Sequence, residues 1–211
     1  VSQVLELALQ TGQHHGVEPN AVRVEMIERR MAQSPEVVRR ASSVVVRRLL
    51  DLPEMAGRRR IGAYLGIRGE VDPSALCEVE RLEVALPVTT AGEPLRFVVP
   101  SGPLEPGPYG IRQPGRGHEV DPLDLEVIVV PLVAVDHRGN RVGHGAGFYD
   151  RTFAARRDRP APPVLIGICH AFQVVGQLDA RPWDVPLDVI VTDAGIHRPG
   201  MAHFPSPMGE D

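Results

Sequence analysis

Cysteine is scarce: Cys77 and Cys169 are the only two in 211 residues, far apart and without a CxxC spacing. That excludes a disulfide-stapled scaffold or a cysteine-rich zinc site, and both are expected to be buried free thiols in a reducing compartment. No apolar run approaches the roughly 20 residues of a membrane span. The first residues, VSQVLELALQTG, have neither a basic n-region nor a long h-region, so the expectation is a cytoplasmic protein with no membrane partner. An excess of one charge is also missing. Lys and Arg number 23 against 27 Asp and Glu, interspersed, for a net charge of −4. No nucleic-acid groove is therefore expected, and any bound anion must be caught locally. There is no internal repeat. At 43% hydrophobic and 24% charged residues the chain reads as one globular domain, expected as a monomer. The expected layout is an N-terminal extension over 1–20, possible disorder there included, a domain over 21–198 and a tail over 199–211, also expected to be disordered.

The chain does hold one dense motif, Arg141 to Arg151, read RVGHGAGFYDR. It follows the most strand-like run, LEVIVVPLVAVD (Leu125 to Asp136), through a polar turn at His137 to Asn140. Gly143, Gly145 and Gly147 remove Cβ from alternate positions, so the backbone can present its N–H groups to a ligand, ideally an anion. Arg141 and Arg151 flank the glycines, Asp150 is a hard oxygen ligand of the kind Mg²⁺ prefers, and FYDRTFAARR can continue as a helix with an anion-favouring N-terminus. A phosphate and metal loop results, although a tight strand-to-helix connection would use glycine in the same way. The two common nucleotide loops do not fit: Gly147 follows Gly145 too closely for a dinucleotide fingerprint, and no GK[ST] follows for a P-loop.

GHGAGFYDR closely resembles the GxGGGYYDR-type signature of the 5-formyltetrahydrofolate cyclo-ligases, also called methenyltetrahydrofolate synthetases. PLVAVDHRGNRVG resembles that family's lead-in, and WDVPLDVIVTDAGI (Trp183 to Ile196) its C-terminal segment. The resemblance covers Met26 to Arg198 and implies ATP- and Mg²⁺-dependent conversion of 5-formyltetrahydrofolate to 5,10-methenyltetrahydrofolate through an imidate phosphate. It assigns catalytic roles to Arg141, His144, Tyr149 and Asp150, and places ATP against Arg141, Val142, Gly143, His144, Gly145, Ala146, Gly147, Phe148 and Tyr149. The reduced folate would meet Leu65, Glu70, Tyr109 and the stretch from His144 to Phe148, with Tyr64 in the wall. Mg²⁺ would sit at Asp150 and Asp188. Arg23 matches the arginine of the family's Lys-x-x-x-Arg phosphate motif, whereas Pro19 stands where the lysine should be. A second departure is Ala146, where relatives carry Gly or Lys; if lysine is admitted there, the backbone already accommodates a Cβ. These departures leave open a non-catalytic folate- or nucleotide-binding relative. An unrelated phosphoester-binding α/β enzyme, such as a sugar-phosphate isomerase, is the third reading.

Elsewhere the pattern alternates. From Ala21 it is helical. Ser34-Pro35-Glu36 opens a second helix whose stripe, Val37, Ala41, Val45 and Leu49, faces inward, with Arg39, Arg40, Arg47 and Arg48 solvated. IGAYLGI (61–67), LEVALPV (82–88), LRFVVP (95–100), APPVLIGIC (161–169) and VPLDVIVTD (185–193) read as strands, and the proline-rich span 101–121, with its PYGIRQP piece, reads as a long loop. His14 and His15 form a pair without metal-ligand partners. His170 reads as a satisfied core or loop histidine near Gln173. The fold class is α/β, a three-layer α/β/α sandwich around a mostly parallel sheet with ligands at the carboxyl ends of its strands.

Overall fold

The structure, a computed structural model, describes residues 19–159 and 161–200. Three α-helices are described, α1 (Pro19–Met31), α2 (Pro35–Leu50) and α3 (Phe148–Thr152). The strands are β1 (Arg60–Gly62), β2 (Glu83–Val88), β3 (Arg96–Pro100), β4 (Leu104–Pro106), β5 (Arg112–Pro114), β6 (Gly117–Val120), β7 (Val127–Pro131), β8 (Ala134–Val135), β9 (Arg141–Val142), β10 (Val164–Cys169), β11 (Val189–Thr192) and β12 (Ile196–His197). Eight of them form one sheet in the order β12-β11-β10-β7-β1-β2-β3-β6. The run from β11 to β2 is parallel throughout, while β12, β3 and β6 pair antiparallel at the two ends.

Strand β7 shows why the sheet is buried on both faces. Val127 and Val129 join a cluster with Ala41, Val45 and Leu49 of α2, whereas Ile128 and Val130 join Phe97, Leu165, Phe153 and Leu187 on the other side. Alternate residues of one strand thus feed two cores, and each fully buried aliphatic side chain contributes about 1.5–3 kcal/mol. Helix α2 starts where the proline and serine direct it: Ser34 is extended and its Oγ accepts the Val37 amide at 3.3 Å.

Several expectations change here. Val37, in the first turn of α2, is 45% exposed, and the buried stripe of the helix begins at Ala41. Arg48 is not simply solvated; it donates to the Thr192 carbonyl at 2.6 Å and ties α2 to β11. Cys77 is exposed rather than buried, and both thiols are free. In 61–67 only the first residues pair in the sheet. The span 101–121 is no long loop. It contains the hairpin β4–β5 and then β6, since short edge strands tolerate proline where no N–H is needed. The helix after the glycine loop is one five-residue turn followed by a 3-10 turn, Ala154–Arg157, so the second helical layer is thin. The expected extension and tail, including His14 and His15, lie almost wholly outside the described residues.

Glu126 fastens the start of β1 to that of β7. Its Oε2 accepts the amides of Arg59 at 2.8 Å and Arg60 at 3.0 Å. The Arg59 amide first, then Arg60 and Arg58, hold its carboxyl below the ordinary value of 4.5 against partial burial. A depressed folded-state value stabilises the fold above about pH 4.5 and stops doing so as pH falls through the folded value. Glu126→Gln is therefore expected to lower urea stability at pH 7, with the deficit closing as the titration is repeated at successively lower pH below 4.5.

Candidate functional site

The parallel strands end at a cavity of about 850 Å³. Such a crevice beyond the carboxyl ends is where open α/β sheets hold ligands. One wall is the loop between β9 and α3. Gly145 has φ +99° and Gly147 φ +64°, backbone that side chains rarely adopt. Ala146 is absent from the left-handed region, so its Cβ is accommodated without strain. Among the described residues, the amides from Gly143 to Gly147 donate to no protein group. They form a row of open N–H donors.

Cations converge on that loop from two sides. Arg23 of α1 donates through Nε to the Gly143 carbonyl at 2.8 Å, and its guanidinium carbon lies 3.9 Å from where a Cβ on Gly145 would stand. Arg141 donates to Asp150 Oδ1 at 2.7 Å and to the Val185 carbonyl. The Val185 amide reaches the same Oδ1 at 3.1 Å, so both hydrogen bonds to Asp150 fall on one oxygen and Oδ2 remains for a further ligand. Tyr149 is stacked on Phe153; burial raises its phenol above the ordinary range, with the charge of Glu70 adding, so it stays an O–H donor at neutral pH.

The facing wall is built on a buried ion pair. After β1 the chain makes a turn at 67–70, with Arg68 at φ +50° and Gly69 at φ +75°. A Cβ on Gly69 would meet the Arg30 carbonyl at 2.6 Å, so α1 packs directly on this turn. Glu70 Oε2 accepts the Ile67 amide at 3.1 Å. Its Oε1 lies 3.3 Å from Arg30 Nη1 and 3.0 Å from His144 Nε2. Arg30 is fully buried and also donates to the carbonyls of Arg68 and Leu132. Burial draws its guanidinium below the ordinary arginine value, and Glu70 opposes that shift. Tyr64 donates to the Val71 carbonyl at 2.7 Å, and Leu65 completes the apolar floor.

The structure therefore brings together Arg23, Leu65, Glu70, Tyr109, Arg141, the loop from Val142 to Tyr149, and Asp150. Tyr109 stands at the tip of β4–β5, its ring edge-on to Phe148 with centroids 6.4 Å apart. Asp188 is not among them. It precedes β11, at the opposite end of the parallel strands, where Arg156 binds its two oxygens at 2.9 and 2.8 Å and the Leu165 amide reaches one of them at 2.7 Å. The expected metal role for Asp188 is withdrawn: its carboxylate braces β10 against β11. The expected helix N-terminus also contributes little, because α3 has too few peptides to build a macrodipole. His170 is buried, 3.0 Å from the Gly69 carbonyl, and supports the turn. Sequence reasoning missed Arg30. The signal was there: Val22, Met26 and Arg30 recur every four residues, and a charge on that buried stripe demands a partner.

A model of the 5-formyltetrahydrofolate cyclo-ligase family matches residues 16–193. A protein of Haemophilus influenzae named 5-formyltetrahydrofolate cyclo-ligase is 34% identical over 162 residues, which cover 72% of this chain and 85% of that one. Its namesake in Escherichia coli is 32% identical over 180 residues, covering 80% and 97%. Among solved structures, the 5,10-methenyltetrahydrofolate synthetase of Aquifex aeolicus matches with a TM-score of 0.74 at 30% identity, over 90% of this chain and 96% of that one.

The reassignment of Asp188 has a direct check. Asp188→Asn is expected to lower the melting temperature by a few degrees, measured by differential scanning fluorimetry, while Mg²⁺ titration monitored with a bound nucleotide analogue is unchanged.

Proposed function

The chain belongs to the 5-formyltetrahydrofolate cyclo-ligase family, and on that premise we propose that it converts 5-formyltetrahydrofolate to 5,10-methenyltetrahydrofolate at the expense of ATP, with Mg²⁺, releasing ADP and phosphate. One observation carries this reading: open loop amides and two arginines face a buried carboxylate across a single cavity of about 850 Å³. That volume falls in the range of sites that enclose small organic ligands, and its two walls suit different chemistry. The loop wall attracts phosphates. The Glu70 wall offers acceptors and an apolar floor for the pteridine.

The chemical obstacle is that the oxygen of an N-formyl group leaves poorly. In the proposed reaction the formyl oxygen attacks the γ-phosphorus of ATP, the bond to the β-phosphate oxygen breaks, and ADP departs. N10 then attacks the activated carbon and loses its proton, and the carbon–oxygen bond breaks to free phosphate and close the ring. Neither step needs a protein nucleophile; both need positioning and neutralisation of charge. Arg23 and Arg141 supply fixed positive charge, the amides from Gly143 to Gly147 supply donors, and the Tyr149 hydroxyl adds one more. Glu70 and Leu65 hold the folate opposite, and Tyr109 with Phe148 closes the mouth.

Asp150 fits Mg²⁺ with one carboxylate oxygen available, and among the described residues no cluster of three or more His, Cys, Asp or Glu forms a separate metal cage. A single carboxylate completed by phosphate oxygens and water suits an ion that gives up water reluctantly. Bound there, the ion would neutralise charge on the transferring phosphates. Arg141 orients Asp150 through its 2.7 Å ion pair to Oδ1.

The deciding measurement is absorbance in the methenyl-folate band after mixing the protein with 5-formyltetrahydrofolate, Mg²⁺ and ATP, with ATP omitted as control. ATP-dependent growth is expected, abolished in Asp150→Asn with unchanged melting behaviour; a flat trace from folded protein that still binds folate would leave a non-catalytic relative instead. Because Ala146 already has ordinary backbone angles, Ala146→Gly is expected to change turnover by no more than a few fold, and a hundredfold rise would show the loop to be impaired.

A further inference from the structure

The reaction proposed above gives the phosphates and the pteridine their contacts but leaves the base of the nucleotide without one. Arg181-Pro182-Trp183-Asp184 is a β-turn closed twice: the Asp184 amide donates to the Arg181 carbonyl at 3.0 Å, and the Arg181 amide donates to Asp184 Oδ2 at 2.8 Å. Proline at its second position fixes one central φ, and Trp183 takes the other central place. Two contacts anchor the turn. Arg157 donates to the Pro182 carbonyl at 3.2 Å and, through Nε, to the Ala154 carbonyl at 3.2 Å, so the turn is tied to the segment that follows α3. The next residue, Val185, gives its amide to Asp150 Oδ1 at 3.1 Å. Main-chain contacts thereby set where Trp183 stands relative to the carboxylate proposed for Mg²⁺.

Trp183 lines the same cavity as the glycine loop and yet is 55% exposed. A single apolar side chain on open surface needs no explanation, but one in a ligand cavity, on a fixed turn, is surface that a ligand can cover. The Arg181 guanidinium carbon lies over the indole, 5.7 Å from its centroid. Among the described residues no other ring or cation stacks on the indole, so its second face is open. Other aromatic rings of the cavity are engaged: Tyr109 packs edge-on to Phe148, and Tyr149 stacks on Phe153. Arg151 and Arg157 line the cavity too, and among the described residues neither is ion-paired. An open aromatic face beside uncompensated positive charge suits a flat heterocycle that carries phosphates. Glu70 and Leu65, assigned to the pteridine, belong to the facing wall. With the γ-phosphate turned toward the formyl oxygen there, the ribose and base extend along the side that carries Asp150, where Trp183 is no more than about 8 Å of chain from Val185.

Resting on the ATP assignment above, we infer that Trp183 is the base platform of the nucleotide site: the purine stacks on the open face of the indole, with Arg181 over the other face, while the phosphates run to the glycine loop and Asp150. Stacking of this kind favours a nucleoside triphosphate over a bare polyphosphate and takes no part in bond making.

Trp183 is the only tryptophan in the chain, so its fluorescence reports this one site. The test titrates the full chain, in the presence of Mg²⁺, with either a non-hydrolysable ATP analogue or inorganic tripolyphosphate, read in parallel by tryptophan fluorescence and by calorimetry. The analogue is expected to change the emission saturably, over the concentrations at which it binds by calorimetry, and tripolyphosphate to bind with little change in emission. Trp183→Ala is expected to weaken the analogue at least about fivefold, the lower end of what one base–aromatic stack contributes, while its affinities for tripolyphosphate and 5-formyltetrahydrofolate stay within about twofold of wild type. Trp183→Phe, which keeps an aromatic face, is expected to recover most of the loss. The inference is overturned by emission that ignores the bound analogue, by Trp183→Ala that binds the analogue as wild type does or loses tripolyphosphate to the same degree, or by a loss confined to 5-formyltetrahydrofolate, which would give the turn to the glutamyl tail of the folate. In each of those cases nucleotide still binds and the proposed function stands. Folded wild type that binds neither the analogue nor tripolyphosphate overturns both.

Discussion

The contact on which the site depends is the buried pair of Arg30 and Glu70. A charge pair taken out of water is costly, and its mutual attraction offsets that cost only when the remaining donors and acceptors are satisfied. Here they are. The guanidinium reaches two main-chain carbonyls and the carboxylate takes a main-chain amide, so no buried side-chain polar atom among the described residues lacks a partner. The result joins four separate pieces of chain: α1, the turn at 67–70, the end of β7 and the glycine loop through His144. A pair of aliphatic side chains could fill the same space, but would not fix the orientation of a carboxylate facing a cavity.

The opposite wall relies on a different economy. Loops that hold phosphate commonly draw on the N-terminus of a long helix, whereas the loop proposed for that role here ends in a five-residue turn. Its positive potential comes from side chains instead, and these are immobilised by the main chain: Arg23 by the Gly143 carbonyl, Arg141 by the Val185 carbonyl and Asp150. Fixed guanidinium groups need not reorganise when charge develops nearby, which is the physical basis of electrostatic catalysis.

How much of this was legible in the sequence follows from the kind of signal each element carries. The strands at 82–88, 95–100 and 127–131 are runs of β-branched and apolar residues buried on both faces, and such runs announce themselves. Ser34 and Pro35 marked a helix start by local hydrogen bonding and fixed dihedrals. The glycine loop and Asp150 were legible because contiguous residues carry both conformation and chemistry. Arg30 was not, since its partner is forty residues away and only the turn at Gly69 brings them together. Asp188 misled for a related reason. Its place just before a strand is visible in sequence, but which end of the sheet that strand start occupies is set by parallel pairing with β10. The hairpin at 104–114 was hidden by prolines that count against strands only in the interior of a sheet.

The antiparallel strands at the two ends of the sheet bear on how the chain behaves at high concentration. A parallel sheet left open would expose rows of unpaired amides and carbonyls, a template on which other chains add. In the described sheet one margin is β12, only two residues long, and the other is β6, where His118 and Glu119 face solvent and Arg96 pairs with Glu119 at 2.8 Å across its surface. A margin too short to recruit a neighbour and a margin studded with charge both resist growth into aggregates, so the strands that shape the cavity stay shielded within the sheet.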